Sequence, residues 1–219
     1  MNFATISLTF NRMDNFGVFL IKGLKEVAFE YFQAKTVDNI IQYNERVFCY
    51  ELYHQLRLLD RGSLPNYSIN GEIPKQLQFP SIGDYGIYTN IKYDFTDIDK
   101  HRITPDIVIH ESQENKDGQH LIIEVKNSKN KVTTIDWDLY KLLVYVDKLN
   151  FKKGVYIQVN RPIDDLFEDI KNRLIQSEKI GLFRKIIVMS VIRESKENKV
   201  SYCSLHDIWE GNKFGIKYK

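Results

Sequence analysis

Apolar residues recur along the chain at two spacings, and the change from one to the other divides it into elements. From Asn15 to Phe32, the residues Phe19, Leu20, Leu24, Val27, Ala28 and Tyr31 fall near helical spacing and predict one helix. A second helix is predicted from about Thr36 to Asp60, where Ile41, Phe48, Leu52, Leu56 and Leu59 form a stripe that Ile40, Val47 and Leu58 widen. Glu45 and Glu51 fall inside the widened stripe, where an acid needs a partner such as a metal. The stretch from Arg61 to Lys100 is rich in Gly and Pro; within it, alternation over Tyr67–Ile73 predicts a first strand, with a turn signal at Asn70-Gly71. Apolar runs at Ile103–His110 and His120–Val125 flank a polar turn containing Asp117-Gly118 and predict an antiparallel hairpin. A helix capped by Thr133 or Thr134 and running to about Leu149 follows, then a strand at Gly154–Val159. A helix from Pro162 to about Glu178, a strand at Arg184–Ile192 and a short one at Lys199–Ser204 complete the pattern. Leaving aside the short strand at Lys199–Ser204, the order α-α-β-β-β-α-β-α-β predicts an α/β fold with a mixed sheet flanked by helices, as a single domain over 1–219. Its core spans about 36–160, with an N-terminal helical flank at 1–35 and a C-terminal α/β extension at 161–219.

Two charges interrupt the run Leu121-Ile122-Ile123-Glu124-Val125-Lys126, and positions two apart on a strand share a face. Glu124 and Lys126 therefore point the same way. Antiparallel pairing brings Asp106, in Thr104-Pro105-Asp106-Ile107-Val108-Ile109, close to Glu124. Two carboxylates side by side repel unless a cation or a proton joins them. Phosphodiester hydrolysis uses such a pair: a hard cation takes oxygen ligands, and a nearby lysine orients water or neutralises developing charge. On this reading Asp106 and Glu124 are metal ligands and the Val125 carbonyl adds a third. The bland alternative is a structural Glu–Lys contact beside a solvent-facing Asp, the wet face of a half-buried hairpin.

The segments Thr104–His110 and Leu121–Lys126 resemble the signature of the PD-(D/E)XK nuclease superfamily, over roughly residues 40–160. The resemblance implies a restriction-endonuclease-like core of order α-β-β-β-α-β, with Asp106 and Glu124 binding Mg²⁺ or Mn²⁺ and Lys126 as the catalytic lysine. Members often carry a further Glu on the first core helix. Asn44-Glu45-Arg46 resembles that element, which makes Glu45 the expected fourth residue and further metal ligand, ahead of Glu72 and Glu51. Asp138 and Lys141 on the next helix are read as an exposed ion pair rather than a support for the site. His110 shares a face with Asp106, but is read first as a surface residue at a strand end.

Other features narrow the class. Cys49 and Cys203 are the only cysteines, so neither a disulfide framework nor a zinc-site spacing exists, and Cys49 is expected to pack. No glycine-rich phosphate loop points to an ATP-dependent enzyme. The absence of a secretory pattern in Met1–Phe10, and of a long apolar run, leads to the expectation of a cytoplasmic protein with no membrane partner. Residues 141–219 carry 16 Lys and Arg against 10 Asp and Glu, while 1–140 carry 15 against 19, a balance compatible with a phosphate backbone beside an acidic cluster. The expected partner is nucleic acid, DNA before RNA, and a homodimer is compatible with this reading. The expected function is a Mg²⁺-dependent DNA endonuclease; the alternative is a nucleic-acid-binding or scaffold module of the same fold that does not cleave.

Overall fold

The computed structural model describes residues 15–35, 41–60, 67–72, 82–88, 104–111, 115–127 and 135–219. The first helix, α1 (Asn15–Glu26), stops earlier than its apolar spacing predicts, and a 3-10 turn at Phe29–Tyr31 follows. The cause is tertiary. The buried Asn198 side chain donates to the carbonyls of Leu24, Lys25 and Val27 at 2.8, 3.2 and 2.7 Å, satisfying acceptors at the end of the helix.

The predicted helix over 36–60 is also shorter. Residues 36–40 lie outside the described residues, β1 (Ala34–Lys35) pairs antiparallel with β2 (Ile41–Gln42), and the helix itself, α2, is Glu45–Asp60. Its start is set by Asn44, whose Oδ1 accepts from the Val47 N–H at 3.2 Å. Phe48, Leu52 and Leu56 are buried as the stripe predicts, whereas Ile41, Val47 and Leu58 are exposed. Val47 and Leu58, from the widened side of the stripe, therefore meet solvent, and Ile41 lies on β2 ahead of the helix.

Seven strands form one sheet in chain order: β3 (Ser68–Gly71), β4 (Ile107–His110), β5 (Gln119–Asn127), β6 (Lys153–Val159), β7 (Ile186–Glu194), β8 (Glu197–Ser204) and β9 (Lys217–Tyr218). The central pairs β5–β6 and β6–β7 are parallel, and the pairs on either side are antiparallel. Helix α3 (Ile135–Lys148) makes the crossover from β5 to β6, and α4 (Ile163–Lys171) the one from β6 to β7. A last helix, α5 (Leu205–Glu210), follows β8; neither α5 nor β9 is evident in the apolar spacing. Thr133 and Thr134, the expected caps of α3, lie outside the described residues.

Three local expectations change. Asn70 and Gly71 do not turn the chain but pair with Val108 and Ile107, and the left-handed residue is Glu72, at φ 48°. Strand β4 begins at Ile107 rather than near Ile103, so Asp106 stands just before it instead of at its middle. The helix after Pro162 ends at Lys171 instead of near Glu178, because the chain leaves it to bridge Leu174 to Ile87.

The sheet is the middle of three layers. Leu121, Ile123 and Val125 of β5 join a core with α1 and α2, while Ile122 joins a second core with α3, α4 and α5 on the other face. A strand covered on both faces reads as the apolar run seen at 121–125, broken there by Glu124. The carboxyl ends of the parallel strands are tied to the chain ahead of α2. Asn127 and Asn160 both donate to the Phe32 carbonyl, at 3.2 and 2.8 Å, and Asn160 also donates to Asn127 Oδ1 at 2.8 Å. No helix among the described residues is long and apolar enough to cross a membrane.

Replacing Asn198 by Ala tests the clamp on α1. With three carbonyls losing their donor in a buried setting, urea unfolding should show a loss of about 1–3 kcal/mol. A change below about 0.5 kcal/mol, the scale of an ordinary surface substitution, would mean that water replaces the clamp without cost.

Candidate active site

The site forms where β5 runs past the start of β4. The register pairs Ile107 with Ile123, so the next position along each strand sets Asp106 beside Glu124. Because β4 has not yet begun at Asp106, the Val125 N–H lacks a backbone partner on that side. The carboxylate supplies one, with Asp106 Oδ2 accepting from the Val125 N–H at 2.6 Å. The N–H and C=O of one strand residue project to the same side, so the Val125 carbonyl faces the same gap.

Glu124 faces α3 and is buried, with 2% exposure. Its Oε2 accepts from Lys141 Nζ at 2.7 Å, and the same ammonium lies 2.9 Å from Asp138 Oδ1, one turn back on the helix. Lys126 Nζ donates to Glu45 Oε1 at 3.0 Å and stands 3.5 Å from Asp138 Oδ2. A run of alternating charge results: Glu124, Lys141, Asp138, Lys126, Glu45. Asp106 adjoins it, with no ammonium of its own among the described residues. Glu124 Oε1 is buried and has no hydrogen-bond partner among the described residues.

These surroundings act on the proton equilibria. Burial pushes the Asp106 carboxyl up to about 6, and Glu45 adds to the rise, while the Val125 N–H, Lys141 and Lys126 oppose it. Burial also raises Glu124, against the pull of Lys141 and with the push of Asp138 and Asp106. Burial disfavours the charge on Lys126, but Asp138 and Glu45 outweigh it and hold the ammonium above its ordinary value. Lys141 likewise stays charged despite its burial, because of Glu124 and Asp138.

Asp106, Glu124, Lys126 and Glu45 are thus brought together, and Val125 lies between the two central side chains with its N–H bound by Asp106. Glu45 enters as a partner of Lys126. Among the described residues no three His, Cys, Asp or Glu side chains are grouped to hold a metal. Glu51 is bonded to Gln55 and His54 on its own helix, at 2.6 and 3.3 Å, and takes no part. Glu72 lines a cleft of about 390 Å³ together with Glu45, Arg46, Cys49 and Asp106, but it is exposed and pairs with Arg46 at 3.5 Å. Cys49 is buried and its thiol is pushed up by that burial, as packing requires.

Two expectations are corrected. Asp138 and Lys141 are no exposed ion pair: both are buried, with 1% and 9% exposure, and they form the centre of the cluster. His110 is neither at the site nor at the surface. It is buried at the far end of β4 and bonded to Asn70 at 2.8 Å, roughly 13 Å of strand from Asp106. A signal for Lys141 was present in the sequence, since Leu139, Tyr140, Leu142, Leu143 and Val144 surround it with apolar positions on every side of the helix. A helix apolar all round is a buried one, and a lysine within it requires a carboxylate.

The oxygen-only donors at Asp106, Glu124 and the Val125 carbonyl suit a hard divalent cation. The unpartnered, buried Glu124 Oε1 is the place such an ion would fill. Comparison of the chain with family models, curated proteins and solved structures finds no match.

Asp106 yields a prediction with a definite sign. In the absence of metal its carboxyl is raised, so its contribution to stability is full below about pH 4 and is lost as pH rises through about 6. Asp106→Asn keeps an acceptor for the Val125 N–H and removes that loss. With EDTA present, the variant should be more stable than the parent at pH 7.5 by about 1–3 kcal/mol, and the gap should close towards pH 4. Thermal melts across that range measure it; a variant less stable than the parent at pH 7.5 would show that the charge at Asp106 is already compensated.

Proposed function

We propose that this protein is a metal-dependent nuclease of the PD-(D/E)XK type, with a restriction-endonuclease-like core, that hydrolyses phosphodiester bonds in DNA. The observation that carries this reading is the pair of neighbouring carboxylates, half-buried Asp106 and fully buried Glu124, the latter with an unpartnered oxygen among the described residues, beside a lysine held by two further acids. The element order α2-β3-β4-β5-α3-β6 and the motif residues on β5 support the same family.

Asp106, Glu124 and the Val125 carbonyl would hold Mg²⁺ or Mn²⁺. Bound there, the ion supplies charge to polarise the scissile phosphoryl group and to acidify water. Lys126 has an ammonium stabilised by Asp138 and Glu45, which makes it a poor base and a good electrostatic partner. Its role is to neutralise negative charge that gathers on the phosphoryl oxygens as water attacks and the ester oxygen departs. Glu45 fixes where that ammonium points. The cleft between α2 and the end of β3 gives a phosphate access to Asp106 and places Arg46 at its mouth.

The Lys141–Glu124 contact favours a second reading, a binding module in which an ammonium satisfies the buried carboxylate and no cleavage occurs. Incubation with plasmid, linear and single-stranded DNA and with RNA, in Mg²⁺, Mn²⁺ or EDTA, separates the two. The nuclease reading requires cleavage of DNA that EDTA stops; binding without cleavage under every metal condition would establish the module.

Two sets of variants locate the chemistry. Lys126→Met keeps the stem and removes the charge, and should lower the cleavage rate by about 10²-fold or more while the fold is retained. A rate near that of the parent would make Lys126 a structural residue. Glu45→Gln should cost more activity than Glu51→Gln, because only Glu45 touches Lys126. A larger loss at Glu51 would move the site along α2.

A further inference from the structure

Six charged side chains share the site: the carboxylates of Asp106, Glu124, Asp138 and Glu45, and the ammonium groups of Lys126 and Lys141. With all six ionised their sum is minus two, the charge that one divalent cation cancels. The places available to a cation are unequal. On the Asp138 side, Glu124 Oε2 and Asp138 Oδ1 are bridged by Lys141 at 2.7 and 2.9 Å. Asp138 Oδ2 and Glu45 Oε1 face Lys126 at 3.5 and 3.0 Å. Glu124 Oε1 and Asp138 Oδ2 are both buried with no hydrogen-bond partner among the described residues, but Asp138 Oδ2 has an ion-pair contact to Lys126, whereas Glu124 pairs with Lys141 only through its other oxygen.

We infer that Lys141 occupies the position of a second divalent cation, so that the site binds a single metal ion, between Asp106 and Glu124. This inference rests on the metal-binding reading of the site. Lys141 is suited to the part because it cannot swing away. Its stem leaves a helix buried on nearly all sides, and its ammonium bridges Glu124 to Asp138. A second divalent ion on that side would meet two ammonium groups and an overall positive cluster. Lys141 is thus a charge-compensating and positioning residue: it neutralises the inner side of Glu124 and leaves Oε1 turned to the metal side. It also holds Asp138, which in turn faces Lys126.

Counting bound Mn²⁺ by electron paramagnetic resonance of the free ion tests this without reference to cleavage. The parent should bind one equivalent, and Lys141→Arg, which keeps the bridging charge, should also bind one. Lys141→Gln frees Glu124 Oε2 and Asp138 and should bind two. Two equivalents in the parent would overturn the inference, as would one equivalent in a folded Lys141→Gln protein. If that variant does not fold, the parent count decides alone. No binding to the parent at millimolar Mn²⁺ would instead remove the metal site itself, and with it the nuclease reading.

Discussion

A carboxylate enclosed between a sheet and a helix must have its charge matched where it stands, because water cannot do it. Glu124 is in that position, and much of the local structure follows from it. Lys141 must come from α3 at the height of Glu124, which fixes the rotation of α3 against the sheet. Asp138, one turn earlier, then lies between Lys141 and Lys126 and settles the direction of the second ammonium. Glu45 closes the run from the opposite layer, so a cluster on one face of β5 reaches the helix that covers the other face.

That reach depends on the sheet ending in a defined way. The parallel strands β5 and β6 deliver Asn127 and Asn160 to the same rim, where both take hold of the Phe32 carbonyl. Asn127 also lies 3.5 Å from the Asn44 carbonyl, immediately before Glu45. The start of α2 is therefore fastened to the strand ends, and Glu45 inherits its place from a network of uncharged amides. Position at the rim comes from hydrogen bonds, while the electrostatic character of the site comes from burial.

Much of this was legible in the sequence because the signals were interruptions. Glu124 and Lys126 break an apolar run, and Asp106 begins one; on strands covered on both faces, such residues stand out. Lys141 was equally visible as a charge inside an apolar helix, but an i, i+3 spacing to Asp138 resembles a surface pair and hides the burial. Glu45 and Glu51 could not be separated by periodicity, since the angle of a residue on a helix says nothing about its height. The cap at Asn44 puts Glu45 in the first turn, level with the end of β5, and leaves Glu51 nearly two turns away among its own neighbours. The ends of α1 and α4 were unreadable for another reason: distant residues, Asn198 and Ile87, claim the backbone there.

The late start of β4 has its own consequence. The Val125 amide asks only for an acceptor, and an uncharged asparagine oxygen at position 106 would satisfy it as the carboxylate does. The proposed metal-binding role asks for a formal charge at the same atom. Folding and function thus select on different properties of one side chain, and the two demands part company at asparagine. If the proposed nuclease reading holds, a lineage that ceased to cleave would feel pressure to keep the hydrogen bond and none to keep the charge. The identity of residue 106 in descendants of this chain would then record whether catalysis was still under selection, independently of how well the sheet had been preserved.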